Sequence, residues 1–363
     1  YCIIYDKFQH GRHKILEIRQ LETRADRVKF CKFRTALYAG DECYACTDKF
    51  ILKDVLYDGT QFACSCRKLP LQVTEGDKVL AQTILIKNDR LPYVQMAFFD
   101  ALPDCKPAAE LLKDKARAWC RQLGANGAIA GLNAHLSYGV GILTDGFGSK
   151  ASFDSPYNKD YYAAYFADCA ADGLTVYRGR IDEAEQHFPA IKTDKVRVRY
   201  CRMDKFKEEA ELMRSLCEQT IAQTYLYSPT RPLHFYELLK ALKPFLRPQN
   251  LLFAEDAQGK TTGFLFWHPD FNQMLEGGKD YSICGIALRW LLHRGDIDTA
   301  KVNALGSLSY AATYALTDTF RKLVRDRYTY VETSFVWDNN LRSSLLMKRL
   351  FSHGAKKYEV YHL

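Results

Sequence analysis

Residues 251–267 read LLFAEDAQGKTTGFLFW. Leu251-Leu252-Phe253-Ala254 is a short apolar run with strand character, Ala257-Gln258-Gly259 is a turn, and residues 261–267 return as a second apolar run. The stretch predicts a hairpin, and the elements on either side of it predict a domain. Upstream, residues 196–202 alternate as a strand should. Asp204 can cap a helix over 204–225, with Phe206, Leu212, Met213, Leu216 and Ile221 at helical spacing. Pro232 opens a further helix that Arg247-Pro248 ends. Downstream, a long insertion over 269–298 precedes a strand at 301–305, a helix at 310–325, a strand at 328–337, a helix at 339–351 and a strand at 357–362.

The first half repeats this order. A strand over 14–21 leads into a helix over 23–38, and a hairpin over 69–86 turns at Glu75-Gly76-Asp77. A strand at 93–99 is followed by a helix at 107–123 that Asp104 can cap. A strand at 128–132, a Gly-rich loop at 139–148, a helix at 159–171 and a strand at 174–181 complete the half. The repeat is too long for a solenoid, so a duplicated domain is expected. The division is residues 1–184, a polar linker at 185–195, and residues 196–363.

Composition fits such a chain. Hydrophobic residues make up 47% and charged residues 26%, which excludes disordered and fibrous classes. The net charge of +8 favours anionic partners only in a general way, because the charges are interspersed. No apolar run is long enough to span a bilayer, and residues 1–16 carry Asp6, Lys7 and Arg12 with no apolar core, so no signal peptide is expected. The first residue is Tyr1 rather than Met, from which a missing N-terminal portion is expected. The 12 cysteines are scattered, which reads as reduced thiols and a cytoplasmic setting. Cys43, Cys46, Cys64 and Cys66 have a zinc-like first spacing, but the second pair has one intervening residue. Both readings, metal and buried free thiols, stand, with the thiols favoured and no metal assigned.

Three places carry a resemblance. Residues 254–264 look like the central hairpin of the GNAT superfamily of acyl-CoA-dependent N-acyltransferases, and 301–325 sits where that fold keeps its cofactor-binding strand and helix. Trp337-Asp338-Asn339-Asn340-Leu341 through Leu350-Phe351 and Gly354 to Tyr358 looks like its closing motif. Gly139 to Phe147, Tyr157 to Tyr162 and Pro269 to Gln273 resemble, more narrowly, a bacterial branch of tandem GNAT-like proteins. The resemblance implies an α+β fold: two tandem GNAT-like units, each a mixed sheet flanked by helices. It also implies acyl transfer.

That chemistry needs backbone N–H groups to hold a pyrophosphate, a donor for the oxyanion, an acid for the leaving thiolate and a base for the amine. GNAT enzymes hold the pyrophosphate with a Gln/Arg-x-x-Gly-x-Gly/Ala loop, where small residues let the backbone approach. Here that stretch runs from Leu305, with Ala312 in the Arg position, Ala315 in the first Gly position and Thr317 last. The motif is degenerate, and Leu305, Ser307, Ser309, Ala312 and Ala315 are left as the candidate cofactor site for acyl-CoA as co-substrate. The equivalent stretch of the first half, 99–107, has no glycine and carries Asp100 and Asp104, so it is the poorer candidate.

The superfamily often places a tyrosine acid after the closing helix, which implies Tyr358; Tyr361 lies in the same region, and both are also ordinary strand residues. Asn339 can contact a pantetheine arm or cap the helix. The nine histidines show no metal spacing, and no Ser-His-Asp or Cys-His arrangement is visible. In the insertion, Ile283, Ile286, Ala287, Trp290 and Leu291 form an apolar helical stripe, readable as an acyl-chain lid, a membrane-surface contact or simple packing against the other half.

The resulting expectation is an N-acyltransferase that moves an acyl group from acyl-CoA or an acyl carrier protein to a small-molecule or lipid amine. A catalytically inactive ligand- or protein-binding module is the alternative. An aminoacyl-tRNA-dependent transferase is disfavoured by the lack of a basic stripe, so no nucleic-acid partner and no stable membrane insertion are expected.

Overall fold

The computed structural model describes residues 15–62, 65–186, 196–351 and 354–363. The first half begins with β1 (Leu16–Gln20) and α1 (Arg24–Leu37). Thr23 caps α1: its hydroxyl accepts from the Asp26 N–H, and the Asp26 carboxylate accepts from the Thr23 N–H. Then come α2 (Asp48–Leu56), β2 (Cys66–Glu75), β3 (Lys78–Asn88), β4 (Tyr93–Ala101), α3 (Lys106–Leu123), β5 (Gly127–Ala130), β6 (Ile142–Asp145), α4 (Tyr162–Tyr165) and β7 (Ala170–Arg180). The second half contains α5 (Ile181–Gln186), β8 (Arg197–Tyr200), α6 (Phe206–Thr220), α7 (Pro232–Leu242), β9 (Leu251–Glu255), β10 (Thr261–Pro269) and α8 (Ile283–His293). It ends with β11 (Thr299–Ser307), α9 (Tyr310–Val324), β12 (Tyr330–Glu332), β13 (Val336–Trp337), α10 (Leu341–Leu350) and β14 (Gly354–His362).

The chain forms two compact units whose membership does not follow its halves. Unit 1 is the described part of residues 1–173 together with Glu276–Ser282 and Lys357–Leu363; unit 2 is Leu174–Leu275 and Ile283–Lys356. Within unit 1 the strand order is β1-β2-β3-β4-β5-β14, with β6 pairing β14. Within unit 2 it is β8-β9-β10-β11-β12-β7, with β13 pairing β7. The two orders are the same, but each sheet takes its sixth strand from the other half of the sequence. In unit 1, Tyr361 of β14 lies opposite Ala130 and Tyr358 opposite Leu143. In unit 2, Val331 of β12 lies opposite Gly179 of β7, and Trp337 of β13 opposite Leu174. The division at 185–195 expected from the sequence therefore misassigns the last strand of each half; residues 187–195 of that linker lie outside the described residues.

Both sheets are covered by helices. On β9 and β10 of unit 2, Leu252, Ala254, Leu265 and Trp267 face Ala312, Leu316 and Phe320 of α9. The alternate residues Leu251, Phe253, Phe264 and Phe266 meet Phe206, Met213 and Leu216 of α6. Both sides of the hairpin are thus apolar, which explains the unbroken runs of 251–254 and 264–267. In unit 1 the α3 face packs Leu112 and Ala116 on Val73, Leu85, Val94 and Met96.

Four local expectations are corrected. The helix expected over 159–171 is only the single turn α4, because its tyrosines are held by the edge of β4 described below and the chain turns into β7 at Ala170. Asp104 does not cap α3: it sits at φ +58, and Cys105 takes the cap position. Asp204 lies in a 3-10 turn, with Lys205 heading α6. The insertion divides. Residues 276–282 join unit 1, where the Gly278 N–H donates to Tyr44 O at 3.0 Å and its carbonyl accepts from the Gly40 N–H. A Cβ on Gly278, which is at φ +69, would stand 2.5 Å from the Asp41 nitrogen, so only glycine passes there. By contrast α8 stays in unit 2: Trp290 packs on Phe271 and Phe245 at 5.3 and 5.8 Å between ring centroids. Its Ile283, Leu288, Leu291 and Leu292 are each more than half exposed. Among the described residues no helix is long and apolar enough to cross a membrane.

Candidate functional site

The parallel strands β11 and β12 of unit 2 pair only over Thr299–Lys301 against Tyr330–Glu332. At the end of that pairing the Lys301 ammonium donates to the Glu332 carboxylate at 3.1 Å, and both side chains are buried. Beyond it β12 stops and the chain resumes as β13 on β7. Residues 302–307 of β11 keep β10 on one edge and, among the described strands, have none on the other. A strand edge without a strand partner is a template for an extended ligand.

At the far end of that edge stands the head of α9. Only Leu308 and Ser309 separate β11 from the helix. The Leu308 N–H is held by Thr262 O at 2.8 Å, and the Ser309 hydroxyl caps the helix by accepting from the Ala312 N–H at 3.2 Å. Ser307 Oγ donates to Ser309 O at 2.8 Å and lies 2.6 Å from Thr313 Oγ1. Tyr310 and Ala311 complete the first turn, whose N–H groups make the positive dipole end of the helix. Gly306 is required by close approach: a Cβ there would meet Thr220 Oγ1 at 2.2 Å and the Phe264 ring at 2.7 Å.

The sequence-predicted residues are only partly brought together. Leu305, Ser307 and Ser309 lie at this junction. Ala312 and Ala315 are buried on the core face of α9, so their role in a phosphate-cradling loop is corrected: they sit inside the helix, and the loop has shrunk to two residues. Asn339 is exposed beside the α10 cap, and the cap itself is Asn340, whose Oδ1 accepts from the Ser343 N–H at 3.2 Å. Tyr358 belongs to the sheet of unit 1, not to the unit that holds α9. Tyr361 is likewise in unit 1, where it stacks on Phe166 at 5.0 Å. Cys43, Cys46 and Cys66 are free thiols, Cys64 lies outside the described residues, and no group of three metal-ligating side chains occurs among those described.

Unit 1 has the same divergence, and its own side chains fill it. β4 pairs β5 over Tyr93–Met96 against Gly127–Ala130 and then departs, with Phe98 at φ +49. Past that point the Phe98 N–H donates to Asn133 Oδ1 at 2.9 Å and the Ala101 N–H to the Tyr162 hydroxyl at 2.9 Å. The Tyr161 hydroxyl donates to Ala101 O at 2.8 Å, and that of Tyr165 to Leu102 O at 2.6 Å. Behind them Asp100 is fully buried against Arg34, with Gln82 Nε2 at 3.1 Å. Burial, reinforced by neighbouring phenols and Asp100, lifts the Tyr162 phenol well above its ordinary value, so it stays protonated as a donor and acceptor. The sequence showed these aromatics but not their partners, since residues 93–101 and 161–165 meet only on folding.

No protein-family model and no curated protein matches the sequence. Solved structures do match the fold. A tandem GNAT protein from the clavulanic acid biosynthesis pathway superposes with a TM-score of 0.52 at 12% identity, covering 96% of this chain and 98% of that one. A GCN5-related N-acetyltransferase from Sphaerobacter thermophilus gives 0.52 at 13% identity over 96% and 95%. A glucosamine N-acetyltransferase region of a fungal multi-domain GH3 beta-N-acetylglucosaminidase gives 0.57 at 12% identity over 96% of this chain and 38% of that one. This chain has the tandem GNAT fold.

The strand exchange relocates the search for an acid in the second GNAT unit. The strand beside β12 and β13 there is β7, and its buried tyrosine is Tyr177. The backbone of Tyr177 pairs with Thr333, donating to its Oγ1 at 3.1 Å and accepting from its N–H at 2.8 Å. Burial raises the phenol, Asp338 adds to the rise, and a hydrogen bond with Ser344 opposes it. The sequence missed Tyr177 because it lies in the other half of the chain from the strands β12 and β13 that it joins.

Proposed function

We propose that the protein is an N-acyltransferase whose second GNAT unit takes an acyl thioester along the open edge of β11, with the head of α9 toward its phosphate. The observation that carries this reading is the loss of a strand partner by residues 302–307 directly before the capped N-terminus of α9. Unit 1, whose equivalent edge is saturated by Asn133, Tyr161, Tyr162 and Tyr165, serves as scaffold.

The fit to the donor is uneven. An extended pantetheine-type arm, rich in amides, suits a strand edge that has no strand partner. The nucleotide end is served less well: the loop is two residues long, the Ser307 and Ser309 hydroxyls are engaged locally, and no guanidinium stands in the motif. A donor held through its pantetheine arm is therefore favoured over one gripped by its pyrophosphate. An acyl carrier protein meets that description as well as acyl-CoA does. In support, α10 exposes Leu341, Leu345 and Leu346 beside exposed Lys348 and Arg349, and residues 339–358 contain no acid. Such a surface suits an acidic carrier. Tyr177 takes the role of the acid that protonates the leaving thiolate, in place of Tyr358. The amine acceptor is a small-molecule or lipid amine.

Thermal-shift titration of the full chain with acetyl-CoA, a long-chain acyl-CoA, free CoA and an acyl-phosphopantetheine tests the reading, since a ligand of the folded state raises its melting point. Selective stabilisation by thioesters is expected. Silence with all four, the phosphopantetheine included, would overturn it.

A further inference from the structure

The helix α8 is apolar on the side it turns to solvent. At about 100° per residue, Ile283, Cys284, Leu288, Leu291 and Leu292 fall on one face, and Gly285, Ile286, Arg289, Trp290 and His293 on the other. The second face is the packed one. Trp290 meets Phe271 and Phe245 at 5.3 and 5.8 Å, and the Arg289 Nε–H donates to Met274 O at 2.9 Å. The first face is open: Ile283, Leu288, Leu291 and Leu292 are 68, 56, 64 and 66% exposed, and Cys284 is exposed with them. A surface helix ordinarily turns polar side chains to water, so α8 is inverted, and no charged side chain interrupts its outer face. A contiguous apolar face of this kind marks an interaction site.

The charge around the face has one sign. Residues 281–295 contain Arg289, His293 and Arg294 and no acid. The Arg294 N–H closes the last turn on Trp290 O at 3.1 Å, and its side chain is exposed with no carboxylate within 4 Å among the described residues. Arg247 and Arg327, both exposed, stand with Trp290 in the wall of one small hollow, which places them on the Trp290 flank of the helix. Of the acids adjoining these arginines in sequence, Asp296 is 3.0 Å from the His293 ring and Asp326 is 3.6 Å from the Arg325 guanidinium.

We propose that α8 is a membrane-docking element. It lies on a bilayer surface with Leu288, Leu291 and Leu292 at the boundary between headgroups and acyl chains, and with Arg247, Arg294 and Arg327 beside anionic headgroups. Its 11 residues span about 16 Å, against a hydrocarbon core of about 30 Å, so it lies along the interface and does not cross it. The apolar face anchors the helix, and the arginines add attraction to anionic lipid. A second copy of the chain fits less well. A face about 16 Å long and 10 Å wide falls far short of the roughly 800 Å² per partner of a stable interface, and an isologous contact would gather the arginines of both copies.

Co-flotation of the full chain with vesicles tests this, using phosphatidylcholine alone and an equimolar mixture with phosphatidylglycerol. Binding to the mixed vesicles is expected to exceed that to the neutral ones by about tenfold or more. Leu288→Ser/Leu292→Ser should weaken it by about tenfold or more through lost apolar contact, and Arg294→Gln by about fivefold. These side chains are exposed, so the variants should melt with the parent and respond to acyl thioesters as it does; that response tests the site at the head of α9 by itself. The proposal is overturned if the mixed vesicles do not bind, if the neutral vesicles bind equally, or if the serine variant floats like the parent. A parent that is dimeric in gel filtration and monomeric as the serine variant would also overturn it, assigning the face to a second copy.

Discussion

The Arg34 guanidinium and the Asp100 carboxylate meet at 2.5 Å in the interior of unit 1, where Asp100 is fully buried. Tyr38 and Gln82 complete the shell of the carboxylate, and Asp48 takes the other side of the guanidinium through Nε at 3.1 Å. Removing one member of such a pair strands a buried charge, so Asp100→Ala is expected to cost about 3–5 kcal/mol. The double variant Arg34→Met/Asp100→Leu should recover most of that loss. Urea denaturation of the single and double variants checks both statements, and a double variant as unstable as the single would refute them.

Gln95 on β4 is fully buried, and neither of its amide atoms has a hydrogen-bond partner among the described residues. An unsatisfied buried amide costs about 1–3 kcal/mol, and an apolar group of the same shape removes that cost. Gln95→Met is therefore expected to raise the denaturation midpoint. A fall would show that the amide has an ordered partner.

Gly306 faces the opposite demand. A methyl added there collides with Thr220 Oγ1 and the Phe264 ring, so Gly306→Ala should cost about 1–3 kcal/mol through overpacking. Trimming the neighbour in Gly306→Ala/Thr220→Ala should return only part of it, because Phe264 remains. Melting temperatures of the three variants test the ranking.

Stability and ligand binding separate at Ser309. Aspartate caps a helix as well as serine does and adds favourable charge at its positive end, by about 0.3–1 kcal/mol. Ser309→Asp should thus melt no lower than the parent, yet lose thioester binding by about tenfold or more through repulsion of the donor phosphate. In the same assay Tyr177→Phe should lower turnover with little change in KM, and Tyr358→Phe should leave turnover in place.

The last prediction concerns alkaline pH. Burial, with Glu218 adding to it, pushes the Cys217 thiol up to about 12; burial and Glu209 do the same to Cys201. In the unfolded chain a thiol ionises near ~8.5. With the folded value raised, the stabilising contribution is complete below about 8.5 and is lost as pH rises toward 12, at no more than about 1.4 kcal/mol per pH unit for the well-buried Cys217. Stability should fall between pH 8.5 and 10, and Cys217→Ala should flatten that slope. An unchanged slope would assign the loss to other groups.

Much of the fold was legible in the chain itself. The hairpin at 251–267, the helix at 310–325 and the repeated order of elements follow from period and turn residues, which act over a few neighbours. The capping box of Thr23 and Asp26, three residues apart, is a local device of the same kind, found in the structure. The site was legible only where it is local: Leu305, Ser307 and Ser309 sit together because the chain between β11 and α9 is continuous.

What the sequence could not specify is partnership across the chain. Strand β14 alternates in the same way whether it closes one sheet or the other, since a period of two names the faces of a strand and not its neighbour. Only the tertiary structure assigns β7 to unit 2 and β14 to unit 1. That single exchange puts Tyr358 in the sheet of unit 1 and Tyr177 in that of unit 2. Likewise the helix expected over 159–171 gives way to a single turn, because Tyr161, Tyr162 and Tyr165 find backbone partners on and just after β4. The sequence determined which elements form and in what order, because those are short-range properties. Which edges stay open to a ligand was decided by pairing between residues far apart in the chain.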